Sequence, residues 1–293
     1  LNERVNAHIM ILIATILIAG SFLASQKLSS IIDPISLTLL RFILALIFLS
    51  PIVIFNKNRL KEVIKVVPKA MIVSLVYTLY FIGMLKALED TTVLNSGAIY
   101  TLVPLMTAIL CIFFFKEKIA LKQLFIYFLG IISTCIVVFN ADLNLFLSLS
   151  LNNGDIVFLL ASFSMALYPV FIKLLYSKKD ELLVLVFATL IGGIIWMSLT
   201  MQILNIPYEW NKLDLNHIYL LLYLVIGTTI ITLFLYQKAT LVLGAKKVMA
   251  YIYLSPALVA IIMFLFEGYT ISFGVFIGIL LSTFATIIIL RQK

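Results

Sequence analysis

The chain has 293 residues, 63% of them hydrophobic and 12% charged, with a mean hydropathy of +1.19. A soluble domain of this size needs far more polar cover, so the composition excludes one and calls for lipid as the solvent. The formal net charge of +8 does not point to nucleic acid, because the basic residues are scattered between apolar runs rather than gathered on a tail or a patch.

A membrane-crossing helix takes about 20 apolar residues. Ten runs of that order follow one another, predicting helices at roughly 8–26, 34–55, 68–88, 91–115, 120–139, 154–176, 181–204, 216–237, 244–266 and 270–290. The links between them are short and polar, such as Asn56 to Lys61, Glu89-Asp90, Lys116 to Lys118 and Ser177 to Asp180. Leu145 to Leu151 is apolar but too short to cross, so Asn140 to Leu151 is expected to lie in the membrane interface. The first run follows Arg4 and is long enough to span. The stretch Phe22-Leu23-Ala24-Ser25 has no small residue at the −3 position, which argues against a cleavable leader.

Charge sets the expected orientation. With the N-terminus on the cytoplasmic side, 17 of the 21 lysines and arginines fall on inside segments, from Arg4 through Lys178 to Lys293. Only Lys27, Lys86 and Lys212 fall outside, and Arg41 lies within a span. That asymmetry supports an even number of spans with both termini inside.

The two halves of the chain echo each other. Asn95 to Leu110, with Pro104 mid-span and then Phe113-Phe-Phe-Lys-Glu117, parallels Lys247 to Ile262, with Pro256 mid-span and then Phe264-Leu-Phe-Glu267. A gly-containing last helix follows each, with Gly130 in the first half and Gly274 and Gly278 in the second. Two five-helix units in tandem have opposite orientations because five is odd. The expected fold is therefore all-α and integral to the membrane, with ten transmembrane helices as two inverted five-helix repeats. The repeats are expected at 1–140 and 154–293, joined by a loop at 141–153.

Soluble chemistry leaves no trace. No phosphate-cradling Gly-rich loop precedes a Lys-Ser/Thr pair, so no ATP motor is indicated. The two histidines, His8 and His217, are predicted at opposite faces, and Cys111 and Cys135 lie inside apolar runs, so neither a metal site, a cofactor nor a catalytic triad is expected. An integral-membrane enzyme acting on a lipid-like substrate is the alternative reading, but it would need a polar catalytic cluster at one interface. A channel would need a charged or carbonyl ring. All 13 acidic residues fall at predicted helix ends or in loops, which argues against a pump driven through a deep carboxylate.

Several pieces together resemble the drug/metabolite transporter superfamily, EamA type. They are Gly20-Ser21-Phe22 with Lys27, Pro34 through Arg41-Phe42 to Pro51, Leu85-Lys-Ala-Leu88 followed by Thr91-Thr92, and Pro104 to Glu117. The match departs where Ala19 stands for the usual Trp, and where the second half reads Val186-Phe-Ala-Thr189 in place of an Arg-Phe pair. The resemblance implies a central pathway lined by helices 1, 3, 4, 6, 8 and 9, peripheral helices 5 and 10, and a cargo of amino acids, metabolites or drugs. It implies a bacterial inner-membrane protein with a small-molecule substrate and the lipid bilayer as partners, and it leaves room for a homodimer. The expected function is secondary transport by alternating access, export or exchange included, in which two repeats rock about a midplane cavity.

Polar and aromatic groups away from the helix ends are the candidate substrate contacts: Ser21, Phe22, Tyr77, Tyr80, Asn95, Tyr100, Tyr168, Thr229, Tyr236, Tyr251, Tyr253 and Ser255. In lipid such groups need internal partners, which serve either helix packing or a cavity. Arg41, Pro104 and Pro256 are read as structural or hinge elements. A charge at that depth costs roughly 2.5–3.5 kcal/mol and must find partners, a substrate carboxylate included. Each Pro removes a backbone donor and frees a carbonyl of the preceding turn. Trp196 faces either lipid or the same cavity as Phe22, Glu117 and Glu267 mark helix ends, and Gly192-Gly193 serves packing or a hinge.

Overall fold

The computed structural model describes residues 2–177 and 179–291, with the side chains of Phe22, Val93 and Leu94 set apart. The Phe22 side chain expected at the substrate, and Lys178 and Lys293 of the basic face, lie outside the described residues. Among those residues there is no strand, and ten helices are long and apolar enough to cross a membrane. They are α1 (Glu3–Ser29), α2 (Pro34–Ile54), α3 (Lys57–Ala87), α4 (Asn95–Phe115), α5 (Leu121–Val138), α6 (Asn153–Leu175), α7 (Leu182–Leu204), α8 (Leu215–Leu243), α9 (Ala245–Phe266) and α10 (Phe273–Arg291). Large apolar side chains such as Phe113, Phe125, Ile132 and Phe284 remain exposed, as lipid-facing positions require.

Local sequence sets most of the boundaries. Asp33 caps α2 by accepting from the amides of Ile35 (2.8 Å) and Ser36 (3.1 Å), with Pro34 in the first turn, where its missing donor costs nothing. Lys116 and Asn205 end α4 and α7 in the left-handed region, each at φ 53°. The segment expected in the interface contains a short helix, Leu143–Leu147, whose Leu143 and Leu147 are exposed. Helix α3 corrects the expected link at Asn56 to Lys61: it begins at Lys57 and runs 31 residues. Lys, Glu and Arg are good helix formers, so the helix continues out of the bilayer where hydropathy falls.

The chain forms two compact units, each drawn from both halves of the sequence. The first, Leu1–Ile82 and Phe171–Val242, holds α1, α2, most of α3, α7 and α8. There α2 packs along α7 and both α1 and α2 pack on α8. Gly193 makes the α2–α7 approach close: a Cβ there would lie 2.8 Å from the Phe42 ring. Gly192 faces Ser74 and Met71 of α3, and α7 is continuous through both glycines, so the pair serves packing. Gly193→Val is expected to cost about 1–3 kcal/mol by overpacking, measured as a lowered Tm in detergent.

The second unit, Gly83–Val170 and Leu243–Lys293, holds α4, α5, most of α6, α9 and α10. Here α5 lies along α10, and α9 packs on α4, α5 and α10. Gly130 of α5 accepts the Tyr253 ring, which a Cβ would meet at 2.5 Å. The ion pair of Lys246 and Glu117 (2.5 Å) ties the start of α9 to the end of α4. Glu267, its counterpart by sequence, is exposed at the end of α9.

Candidate functional site

In the first unit the chemistry centres on Arg41, which is 8% exposed. Its Nη2 donates to the hydroxyls of Thr228 (3.1 Å) and Thr229 (3.2 Å) on α8. Both hydroxyls in turn donate to the Leu224 carbonyl, at 3.0 and 2.8 Å. One carbonyl serves adjacent threonines because Tyr223–Ile231 is wound as a π-helix. Such windings are rare and frequent at functional sites. Among the described residues no carboxylate lies within ion-pair distance of Arg41, and its buried Nε has no hydrogen-bond partner. Helix α1 abuts the same segment, where the Tyr223 hydroxyl donates to the Leu17 carbonyl (2.8 Å) over Gly20.

Beside Arg41 stands an aromatic group. Phe42 and Tyr77 stack at 6.1 Å, Tyr77 meets Phe81 edge-on at 5.0 Å, and Tyr80 meets Phe81 at 5.3 Å. Thus Thr229, Tyr77 and Tyr80 gather in one unit with Arg41. Ser21 donates to its own helix at Ile18 (2.7 Å), and Tyr236 is buried on α8. A second polar group, missed as a cluster by sequence reasoning, joins Tyr176, Thr189 and Gln237. The Thr189 hydroxyl is 3.0 Å from both the Tyr176 hydroxyl and the donating Gln237 Nε2, while the Gln237 Oε1 is buried without a partner. Trp196 is half-buried and donates to the Met71 carbonyl at 3.0 Å.

In the second unit the two proline helices are interrupted. Helix α4 ends its first segment at Tyr100 and resumes at Val103, with Pro104 in the new first turn. Thr101 and Leu102 bridge the gap with tight bonds to Ala98 and Ile99. Helix α9 tightens to 3-10 geometry over Tyr251–Leu254 and resumes at Ser255, with Pro256 likewise placed. Pro104 withholds the donor owed to the Tyr100 carbonyl, and Pro256 the one owed to Ile252, whose carbonyl accepts from the Ser255 amide instead. The Tyr251–Leu254 segment contacts the second half of α4. Tyr251 and Ser255 are buried there, and Tyr100 is half-buried, its ring 6.5 Å from Phe158. Tyr253 is instead committed to α5: it is fully buried and donates to the Tyr127 carbonyl at 3.1 Å. Tyr168 is also buried, on α6.

Asn95 joins a network that sequence reasoning did not assemble. Asp155, 2% exposed, accepts from the Thr91 hydroxyl, from Asn95 Nδ2 (2.9 Å) and from the Asn152 amide (2.9 Å). The Asp155 amide donates back to Asn152 Oδ1 (2.9 Å), closing a capping box at the start of α6. Asp155 does lie at a helix end, as all acids were expected to, yet it is enclosed. The Asn152-x-x-Asp155 spacing and the Thr91/Asn95 interval of one helical turn were its signals. A cavity of about 160 Å³ adjoins the network between Thr92, Asn95 and the Leu145–Ser150 segment. Among the described residues no group of three or more His, Cys, Asp and Glu side chains is placed to hold a metal ion.

Comparison with known proteins agrees with these features. The model of the EamA-like transporter family matches twice, over residues 5–139 and 152–291. An uncharacterized transporter of Bacillus subtilis (strain 168), YyaM, is 23% identical over 275 residues, covering 89% of this chain and 86% of its own length. A protein crystal structure shares the fold with a TM-score of 0.72 at 17% identity, covering 94% of each chain. With ten apolar spans and a family match over both halves, the chain belongs to the EamA-like transporter family and is a multi-pass membrane transporter.

Proposed function

We propose that this transporter is a secondary carrier of small organic solutes, amino acids, metabolites or drugs among them, working by alternating access in a bacterial inner membrane. The carrying observation is the pair of interruptions in α4 and α9, which fall at corresponding places in the two family-matched segments. Irregular backbone at membrane depth is tolerated where protein or a water-filled cavity satisfies it, and carriers use such breaks to bind their cargo. The Tyr100 carbonyl, which Pro104 leaves without its α-helical donor, and the hydroxyls of Tyr100, Tyr251 and Ser255 supply acceptors and donors for a polar solute. Within the first unit, the aromatic group around Tyr77 and Tyr80 offers an apolar surface of its own.

Packing of like on like supports the inverted repeat: α2 lies on α7, α4 on α9 and α5 on α10, each pairing helices of the same rank in the two halves. The basic asymmetry of the loops supports cytoplasmic termini. Asp155 has donors on both oxygens and sits at a helix end, so it is a structural anchor rather than a proton relay. Facilitated exchange or export down a gradient follows as the mechanism.

The test begins with a thermal-shift screen of metabolites against the purified chain, since a ligand preferring the folded state raises Tm. Proteoliposomes loaded with a hit should then show saturable counterflow of the labelled solute. A pH jump that drives its uphill uptake would contradict exchange. Linear, unsaturable flux would contradict a carrier.

A further inference from the structure

Helix α3 is longer than a membrane requires. Its 31 residues rise about 46 Å at 1.5 Å each, against about 30 Å of hydrocarbon. The surplus is the charged start of the helix. It is pinned to the α6–α7 link by Arg59 Nε, which donates to Glu181 Oε1 at 2.7 Å, and by Glu62 Oε1, which accepts from the Glu181 amide at 3.0 Å. A cavity of about 520 Å³ opens on this stretch, with Lys61, Lys65 and Lys69 along one helical stripe, Val66 as its buried floor, and Glu62 and Asp180 beside them. Its size falls within the roughly 300–1,000 Å³ usual for small-molecule sites.

The charges in this groove are not balanced by pairing. Among the described residues no carboxylate lies within 4.0 Å of Lys61, Lys65 or Lys69, although other surface cations of this unit, such as Arg59 and Lys212, have such partners. The two acids that share the groove are engaged by backbone amides, Glu62 by Glu181 and Asp180 by Ser177 at 2.8 Å. Three ammonium groups therefore face an open cavity. On the neighbouring face of the same turns, Leu60 is 41% and Ile64 72% exposed. Apolar residues standing free beside lysines mark the boundary between acyl chains and headgroups, where long basic side chains reach out of the hydrocarbon.

We propose that this groove binds the phosphate headgroup of an anionic membrane phospholipid, with Leu60 and Ile64 lying beside it in the headgroup layer at the edge of the hydrocarbon. A soluble phosphate compound offers the same anionic group, but only a lipid also accounts for the free apolar face. Basic groups near a membrane surface attract anionic lipid by about fivefold in affinity per lysine.

The full chain, purified in neutral detergent, is titrated with phosphatidylglycerol, phosphatidylcholine and inorganic phosphate, reading bound lipid by native mass spectrometry and Tm. Phosphatidylglycerol should bind and raise Tm, and phosphatidylcholine should do neither. In the triple variant Lys61→Gln, Lys65→Gln, Lys69→Gln the affinity should fall about 100-fold. In the charge-matched control Lys116→Gln, Lys118→Gln, Lys122→Gln it should stay within about threefold of the parent. Circular dichroism of both variants checks that the helices are intact, and the control carries the same charge loss should either be less stable. Equal losses in the two variants, or equal binding of the two lipids, would overturn the proposal. A Tm rise with inorganic phosphate alone, absent in the Lys61/Lys65/Lys69 variant and not matched by phosphatidylglycerol, would also overturn it and assign the groove to a soluble phosphate.

Discussion

Arg41→Met should leave the protein as stable as the parent or raise its stability by about 1 kcal/mol, while slowing solute exchange about tenfold. A charge at this depth costs roughly 2.5–3.5 kcal/mol, and Arg41 has no carboxylate partner among the described residues to offset it. Replacing a buried charge by an apolar side chain of similar length is commonly neutral or stabilising. Thr228 and Thr229 lose a donor, but both hydroxyls keep the Leu224 carbonyl, so no buried donor is stranded.

The cost falls on function. Arg41 is the clasp between α2 and the π-wound segment of α8. Removing about 1.4 kcal/mol from one of two conformations shifts their ratio about tenfold. Arg41→Lys should be intermediate, since it keeps the charge and the donors but its shorter side chain stops short of the point from which Nη2 reaches both hydroxyls. Thermal unfolding and counterflow on the same preparations decide the matter. If exchange per folded molecule is unchanged and only Tm falls, Arg41 is a packing brace and the clasp reading fails.

Asp155→Ala is expected to have the largest effect on stability, about 2–4 kcal/mol. Hydrogen bonds to a charged group are worth about 1.5–3 kcal/mol each. The change would remove the side-chain half of the capping box and take the carboxylate from the Thr91 hydroxyl, Asn95 Nδ2 and the Asn152 amide, of which Asn95 Nδ2 keeps the Ser150 carbonyl at 3.1 Å. Asp155→Asn should cost less, about 1–2 kcal/mol, because its amide keeps one acceptor but turns a second donor toward donors. Loss of helical signal on a thermal ramp in detergent measures both. A double-mutant cycle with Thr91→Ala should show coupling above about 0.5 kcal/mol. Additive effects would mean that the network is not a unit. The neighbouring Gly154 leaves no slack, since a Cβ there would sit 2.7 Å from the Ala87 carbonyl and 2.8 Å from the Thr91 amide.

How much of this could be read in advance depends on the range of the forces involved. Membrane crossing is a one-dimensional property. Twenty apolar residues cross wherever they stand, so ten spans, the Asp33-Pro34 start of α2 and the proline-marked breaks in α4 and α9 were legible in local sequence. Hydropathy reports where a helix leaves the lipid, however, and not where it ends. The charged start of α3 was therefore read as a link, although Lys, Glu and Arg propagate a helix readily.

The partners of polar groups are a different matter, because they come from distant parts of the chain. Arg41 finds Thr228 and Thr229, and Asn95 finds Asp155, across separations of 187, 188 and 60 residues. Composition implied that such groups had partners, since lipid offers none. Only the tertiary structure could say which partner each takes. Tyr251 and Tyr253 show the limit most plainly. They are two residues apart in the same proline-flanked segment, yet the Tyr253 hydroxyl is spent on the α5 backbone at Tyr127. The sequence by itself determined that the chain lives in lipid, how often it crosses, and where its crossing helices break. The tertiary structure decided which buried polar groups hold which helices together, because that pairing rests on angstrom-scale packing between helices.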